Sequence, residues 1–321
     1  MLELTVDHSA GGLRLDRFLR KHFPHAPLSL IYKSLRTGVY KINDKKCKPD
    51  YRLHAGDKVT LFLSPEDYEK LTKKESTIRI KKTFDILYED EDILVVNKPP
   101  MLASQPGTGV EQQNLINQVQ LYLHNTKEHP GLAHRLDRGT SGIVIIGKNK
   151  KMLLELHKIF KEQQIKKYYV ALVVGHLKQK KGIIKSYLKK TTEGFQHHMV
   201  VCDHPEEGAV EAETHYRVME ESSLYSLVEL ELKTGKMHQI RAQLSHLGHP
   251  LAGDRVYGDA QTNNKYAQLL RRQFLHAIKI QFKHPYTQQE LIVTAPLPED
   301  LEHMMQKVGI TFSLESYGKI K

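Results

Sequence analysis

The sequence predicts an α+β fold: a small basic αβ unit followed by a larger unit built on a mixed or antiparallel β-sheet flanked by helices. Strand-like stretches outnumber helix-like ones and often follow one another directly, as THYRVME (214–220) and YSLVELEL (225–232) do, which argues against a doubly wound parallel sheet. Basic residues concentrate near the start of the chain. A polar stretch, SPEDYEKLTKKESTIRIKKT (64–83), then has the composition of a linker. The expected division is a basic unit over 13–63, a linker over 64–83, a main unit over 84–300 and a C-terminal tail over 301–321.

In the first unit, Leu15, Phe18, Leu19 and Phe23 recur at helical spacing. Pro24 and Pro27 break that helix, and Ser29 is placed to cap a second one carrying Ile31 and Leu35. Gly38 stops it. Val39–Ile42 reads as a strand closed by an Asn43-Asp44 turn. Ala55-Gly56-Asp57 is another turn, and Val59, Leu61 and Leu63 alternate as a half-buried strand. Twelve Lys and Arg between Arg14 and Lys58 oppose four Asp. Arg14, Arg17 and the Arg20-Lys21 pair fall on one helix face, with Lys33 and Arg36 on the next helix; such a face neutralises phosphates without reading sequence, and equally describes a solvated helix surface.

The main unit opens with two strands around an acidic turn, FDILYEDEDILVVNKPP, ended by Pro99-Pro100. Asn114 to His124 reads as a helix. A loop then leads into a strand at Ile143–Ile146, and from Asn149 an amphipathic helix places Leu153, Leu156 and Phe160 on one face. KKYYVALVVGH (166–176) is a strand. Met237 to Leu247 is a helix stopped by Gly248, its buried row being Ile240, Leu244 and Leu247. Leu275 to Phe282 is a last strand before APLP.

With 40% hydrophobic and 26% charged residues among 321, the composition is that of a globular protein with a real core. The charge is unbalanced: 48 Lys and Arg against 37 Asp and Glu give +11, which favours a polyanionic partner, most simply nucleic acid. Two cysteines make neither a disulfide framework nor a CxxC metal pattern. His197, His198, Cys202 and His204 cluster without metal-ligand spacing and read as a polar loop. No glycine pattern matches a dinucleotide or phosphate loop, so no cofactor site is expected. The opening residues MLELTVDHSAGG lack a basic segment followed by an apolar one, and no apolar run approaches the ~18 residues of a membrane span. A cytoplasmic setting without membrane association is expected.

The densest chemistry lies in GLAHRLDRGTSGIVIIGKNK (131–150), where Asp137 stands between Arg135 and Arg138 before a tight turn and an apolar run. Nearby positive charge favours an ionised carboxylate, and an ionised carboxylate in a partly dry cleft is a nucleophile or general base. A turn residue or surface ion-pair partner fits the same local composition. Ser141 is not in a nucleophile-elbow pattern, has no base beside it in sequence, and reads as a turn residue bonding its own backbone.

His134-Arg135-Leu136-Asp137 followed by Thr140-Ser141-Gly142 resembles the signature of the RluA-type pseudouridine synthases. ILYEDEDILVVNKPP, KKYYVALVVGH, LKTGKMHQIRAQLSHLGHPLAGDRVYGD and FLHAIKIQFKHPYTQQELIVTAPLP resemble further segments of that family in the right order, so the likeness runs over roughly 84–300. Residues 13–63 resemble an S4-type RNA-binding domain, as in the ribosomal RNA-directed RluC/RluD branch.

The resemblance implies an enzyme that isomerises uridine to pseudouridine inside structured RNA, large-subunit ribosomal RNA in the first instance, as a monomer and without cofactor, metal or redox step. Asp137 matches the family's catalytic aspartate, acting at the ribose. Tyr169, by its Tyr-x-Ala spacing to Ala171, matches the tyrosine that stacks on the uracil and helps remove the C5 proton. Arg241, in HQIR, matches the arginine that pairs with the aspartate. Arg135 is placed to enter the gap left by an extruded nucleotide or to hold a phosphate. Lys236 takes an RNA contact where the family often has arginine, and Gln105 replaces a usual histidine. Two other classes stay open on the residues: a non-catalytic RNA-binding assembly factor on the same fold, and a carboxylate-dependent hydrolase.

Overall fold

The computed structural model describes residues 2–23, 26, 28–72, 80–107, 112–123, 129–193 and 196–314. Pro24, Pro27, His124, linker residues 73–79 and tail residues 315–321 lie outside them. The chain forms two compact units, residues 1–79 and 80–321.

In the first unit, β1 (Leu2–Thr5), α1 (Leu15–His22), α2 (Leu28–Thr37), β2 (Tyr40–Ile42), β3 (Lys58–Leu61) and α3 (Pro65–Thr72) share one core. The strands pair antiparallel in the order β1-β3-β2. Leu15, Phe18, Leu19 and Phe23 all bury, as their spacing requires, with Ile31 and Leu35 of α2 beside them. Ser29 falls inside α2, which begins at Leu28, so Ser29 does not cap it. Strand β1 lies before the expected unit, and α3 lies inside the stretch expected as a linker. Pro65 opens α3, Glu66 and Asp67 occupy its first turn, and Leu71 buries in the core. A helix of only eight residues is easily lost in a polar composition.

The second unit contains β4 (Asp85–Glu89), β5 (Ile93–Lys98), α4 (Leu115–Tyr122), β6 (Gly131–Leu132), β7 (Ser141–Gly147), α5 (Lys150–Lys161), β8 (Lys166–Val174), β9 (Lys181–Glu193), β10 (Gln196–Cys202), β11 (Ala209–Glu221), β12 (Tyr225–Leu232), α6 (Gln239–His246), α7 (Ala260–Lys265), β13 (Leu275–Lys283), β14 (Glu290–Thr294) and α8 (Glu299–Val308). One eleven-stranded sheet runs β10-β9-β11-β12-β8-β13-β7-β5-β4, with β14 on β13 and β6 on β7. Its pairs are antiparallel except β13–β7, so the sheet is mixed and the fold is α+β.

Period-two alternation sorts the side chains onto the two faces. Tyr169, Ala171 and Val173 of β8 join a core with α4 and α6, whereas Val170 and Leu172 join one with α8. Likewise Val144 and Ile146 of β7 face α4 and α6, and Ile143 and Ile145 face α5. The buried face of α5 is Met152, Leu156 and Ile159, rotated from the expected Leu153-Leu156-Phe160 row. Leu247 is the C-cap of α6 and is 45% exposed, so the helix's buried row ends at Leu244. Gly248 follows in the left-handed region with φ +82°, the expected stop.

The segment expected as a polar loop around His198 is strand β10, the partner of β9 in a long hairpin. Charged residues recur along β9, so its alternation is hidden; Ile184, Ser186 and Leu188 bury while Lys185 and Lys190 are exposed. Among the described residues no helix is long and apolar enough to cross a membrane, and no three His, Cys, Asp or Glu side chains gather where they could hold a metal ion.

Candidate active site

The parallel pair β7–β13 requires a glycine at the start of β7. Gly142 has φ +110°, and a Cβ there would sit 2.3 Å from the carbonyl oxygen of Ala277. The last glycine of Gly139-Thr140-Ser141-Gly142 thus lets β13 approach. Ser141 is the first residue of β7, not a turn residue bonding its own backbone. Its Oγ lies 2.9 Å from Nδ1 of His276. Ser141 and His276 are 1% and 0% exposed, so this pair is sealed from any substrate.

The loop before β7 is fixed from several sides. Ser104 Oγ donates to the Leu136 carbonyl at 2.7 Å and accepts from the Leu136 amide at 3.1 Å. Lys98, fully buried, donates through Nζ to the carbonyls of Pro99, Leu102 and Arg138. Burial, and then the charge of Arg272, bring its ammonium down to about 7, with Asp137 opposing. His134 accepts from the Ile145 amide through Nε2 at 3.2 Å and packs on Phe160. Burial pushes its imidazole down to about 3. It is a neutral brace for the loop.

Asp137 is thereby presented at a cleft lined by Arg135, Tyr169, Lys236, His238 and Arg241 among others. Its sequence neighbours do not pair with it: Arg138 donates through Nε to the Met101 carbonyl, and Arg135 is exposed. The pairing charge comes from α6. Arg241 Nη1 donates to Asp137 Oδ2 at 3.1 Å. The rest of the fork is held by Asp254, to which Nε and Nη2 donate at 2.7 and 2.9 Å. Asp254 is fully buried and also accepts from the Val256 and Tyr257 amides. Although burial alone would raise its carboxyl, the Arg241 hydrogen bonds and charge, with the two amides, hold it below the ordinary range. The guanidinium also lies 5.1 Å from the ring centroid of Tyr257. Arg241 is therefore bidentate to Asp254 and single-handed to Asp137.

Tyr169 of β8 reaches the same cleft and is 6% exposed. Burial, then the Asp137 charge, keep its phenol protonated well above the ordinary range. Tyr168 lies on the opposite sheet face, where the Lys279 ammonium is 4.5 Å from its ring centroid. The structure thus gathers Asp137, Tyr169, Arg241, Arg135 and Lys236 in one cleft. In the first unit Arg14, Arg17, Lys33 and Arg36 are all exposed, and Arg14 is held by Asp16 through Nε and Nη2 at 3.2 and 2.9 Å. Gln105 is exposed and does not line the cleft.

Three residues that hold the Asp137–Arg241 pair or stand beside it escape sequence reasoning. His238 faces Asp137 Oδ2 through Nε2 at 3.6 Å. Tyr257 meets His238 Nδ1 at 3.0 Å. Asp254 anchors Arg241. All three lie inside the LKTGKMHQIRAQLSHLGHPLAGDRVYGD segment, but no periodicity marks a loop carboxylate or phenol as a partner of a helix.

The RNA pseudouridylate synthase family matches residues 92–246. Over 315 residues the chain is 32% identical to ribosomal large subunit pseudouridine synthase C of Vibrio cholerae, covering 95% of this chain and 96% of that protein. It is 34% identical over 311 residues to the protein of the same name from Vibrio vulnificus, covering 95% and 96%. The solved structure of human RNA pseudouridylate synthase domain containing 1 superposes with a TM-score of 0.55 at 26% identity, over 71% of this chain and 96% of that one. With this likeness over nearly its whole length, and with the HRLD and HQIR segments meeting at one cleft, the chain belongs to the RNA pseudouridylate synthase family, in its RluA-type group.

Proposed function

We propose that this enzyme converts uridine to pseudouridine in large-subunit ribosomal RNA, with Asp137 acting at the ribose of the target nucleotide. The observation that carries the reading is the Asp137 carboxylate, held by Arg241 in a cleft that Tyr169 also lines. In the scheme the C1′–N1 bond breaks, the detached uracil turns, a C1′–C5 bond forms and the C5 proton leaves. The Asp137 carboxylate supplies the negative charge at the sugar, the single Arg241 Nη1–H hydrogen bond orients it, and the Tyr169 ring stacks on the uracil while its hydroxyl serves the late proton transfer. No cofactor enters the scheme.

The ribosomal substrate is supported by the names of the bacterial relatives, and a polyanionic partner by the net charge of +11. Arg135 and Lys236, exposed at the cleft, are assigned to the extruded nucleotide and its phosphates. We read the first unit as an S4-like RNA-binding module: α1 and α2 beside a small sheet, followed by α3, with Arg17, Lys33 and Arg36 on its surface and Arg14 contributing what charge Asp16 leaves. The enzyme works as a cytoplasmic monomer in this reading. Incubation with unmodified ribosomal RNA transcripts, followed by nuclease digestion and nucleoside separation, tests it: pseudouridine appears at the expense of uridine, with no change in mass. A product of altered mass, or none, contradicts the reading.

A further inference from the structure

His238 is the residue immediately before α6 and is held at φ 52°. That left-handed conformation is uncommon for residues with a Cβ, histidine being among those that adopt it more often. The side chain is held by a chain of hydrogen bonds. The Met199 amide on β10 donates to the Tyr257 hydroxyl at 2.7 Å, and that hydroxyl lies 3.0 Å from His238 Nδ1. The opposite ring nitrogen, Nε2, faces Asp137 Oδ2 at 3.6 Å.

The proton positions follow from the partners. A bare Nε2 turned toward a carboxylate would set lone pair against lone pair, so Nε2 carries the hydrogen. Nδ1 then accepts, and the Tyr257 hydroxyl, already accepting from Met199, donates to it. Burial pushes the imidazole below its ordinary value, against Asp137 and Asp254, which raise it, and with Arg241 and Arg135, which lower it. The ring is therefore neutral near pH 7.

We infer that His238 is a positioning residue for Asp137: with Arg241 it holds Oδ2 from a second side, leaving Oδ1 to the substrate. Both groups address the same oxygen. At 3.6 Å the histidine contact is longer than a hydrogen bond, and such contacts shorten when substrate fills a site. The edge hairpin β9–β10 thereby takes part in setting the carboxylate, through the Met199 amide and Tyr257.

This inference rests on the reading of Asp137 as the reacting carboxylate, so its test uses tritium release from C5-labelled RNA with wild type and Asp137→Asn as references. His238→Ala lowers kcat about 10- to 100-fold, as expected for a lost hydrogen bond to a charged group, with KM for RNA within about two-fold. His238→Gln, whose amide N–H reaches the place of Nε2–H, recovers most of that loss. Tyr257→Phe frees the ring's proton assignment and lowers kcat with KM unchanged, which keeps the inference testable if the alanine variant does not fold. An alanine variant as fast as wild type overturns the inference, as does a glutamine variant as slow as the alanine one, or a phenylalanine variant at full rate. An inactive wild type instead overturns the function itself.

Discussion

Asp137 and Arg241 are 104 positions apart in sequence and 3.1 Å apart in space. The arginine presents Nη1 in a defined direction because its other two nitrogens, Nε and Nη2, already donate to Asp254. The Asp137–Arg241 ion pair thus depends on a buried one behind it.

Asp254 has no exposure and satisfies four donors, two from Arg241 and two from backbone amides. Asp254→Ala leaves Arg241 without its anchor inside the protein. Breaking a buried pair in this way costs about 3–5 kcal/mol. Urea unfolding should show a loss of that size, together with a lower isomerisation rate in the fraction that remains folded. A loss below about 1 kcal/mol contradicts the anchoring role.

Tyr169→Phe separates stacking from proton transfer. The ring stays, so RNA affinity should hold within about two-fold while kcat falls roughly 100-fold or more, as general acid–base losses do. An unchanged kcat assigns the C5 proton to another group.

Lys236 and Arg135 at the cleft are assigned to phosphates and the extruded nucleotide. Lys236→Ala should lower the slope of log K against log salt by about 0.7–0.9, since one phosphate contact is lost. Arg135→Ala should slow the reaction more than it weakens binding, because opening the RNA costs a few kcal/mol that the arginine offsets. Filter binding at graded salt and single-turnover rates distinguish the two; identical behaviour of both variants argues against the division.

Lys98 makes stability depend on pH. Its ammonium falls to about 7 in the fold and titrates near 10.4 when unfolded. Between those values the unfolded chain binds the extra proton, so stability rises with pH through that window and is lost as pH falls through 7. The full effect is on the order of 5 kcal/mol. Lys167, lowered to about 8 by burial, adds a smaller rise of the same sign. Urea midpoints from pH 7 to 10 should climb for wild type and climb less for Lys98→Met. Parallel curves would show that the buried lysine stays charged.

The parts legible in the sequence are those carried by local pattern. Helices α1, α5 and α6, strands β5, β8 and β13, and the HRLD and HQIR segments all announce themselves by periodicity or by residue order. The β9–β10 hairpin does not, because the lysines of β9, two of them the consecutive Lys189-Lys190, and the consecutive His197-His198 of β10 hide the alternation that buries Ile184, Ser186 and Leu188. Nor does α3, a helix of eight residues in a charged stretch. In the site, sequence order places Arg135 and Arg138 beside Asp137, yet the fold turns one to the cleft rim and the other to the Met101 carbonyl. His238, Asp254 and Tyr257 reach the site only through tertiary approach: a left-handed residue at a helix start and two side chains on a loop after it carry no repeat that would mark them.

The most direct test of the central claim is tritium release from RNA labelled at uridine C5, comparing wild type with Asp137→Asn on unmodified large-subunit ribosomal RNA. The account predicts release by wild type and none above background by the variant, with equal RNA binding by both. Equal release by both proteins would remove Asp137 from the chemistry and contradict it.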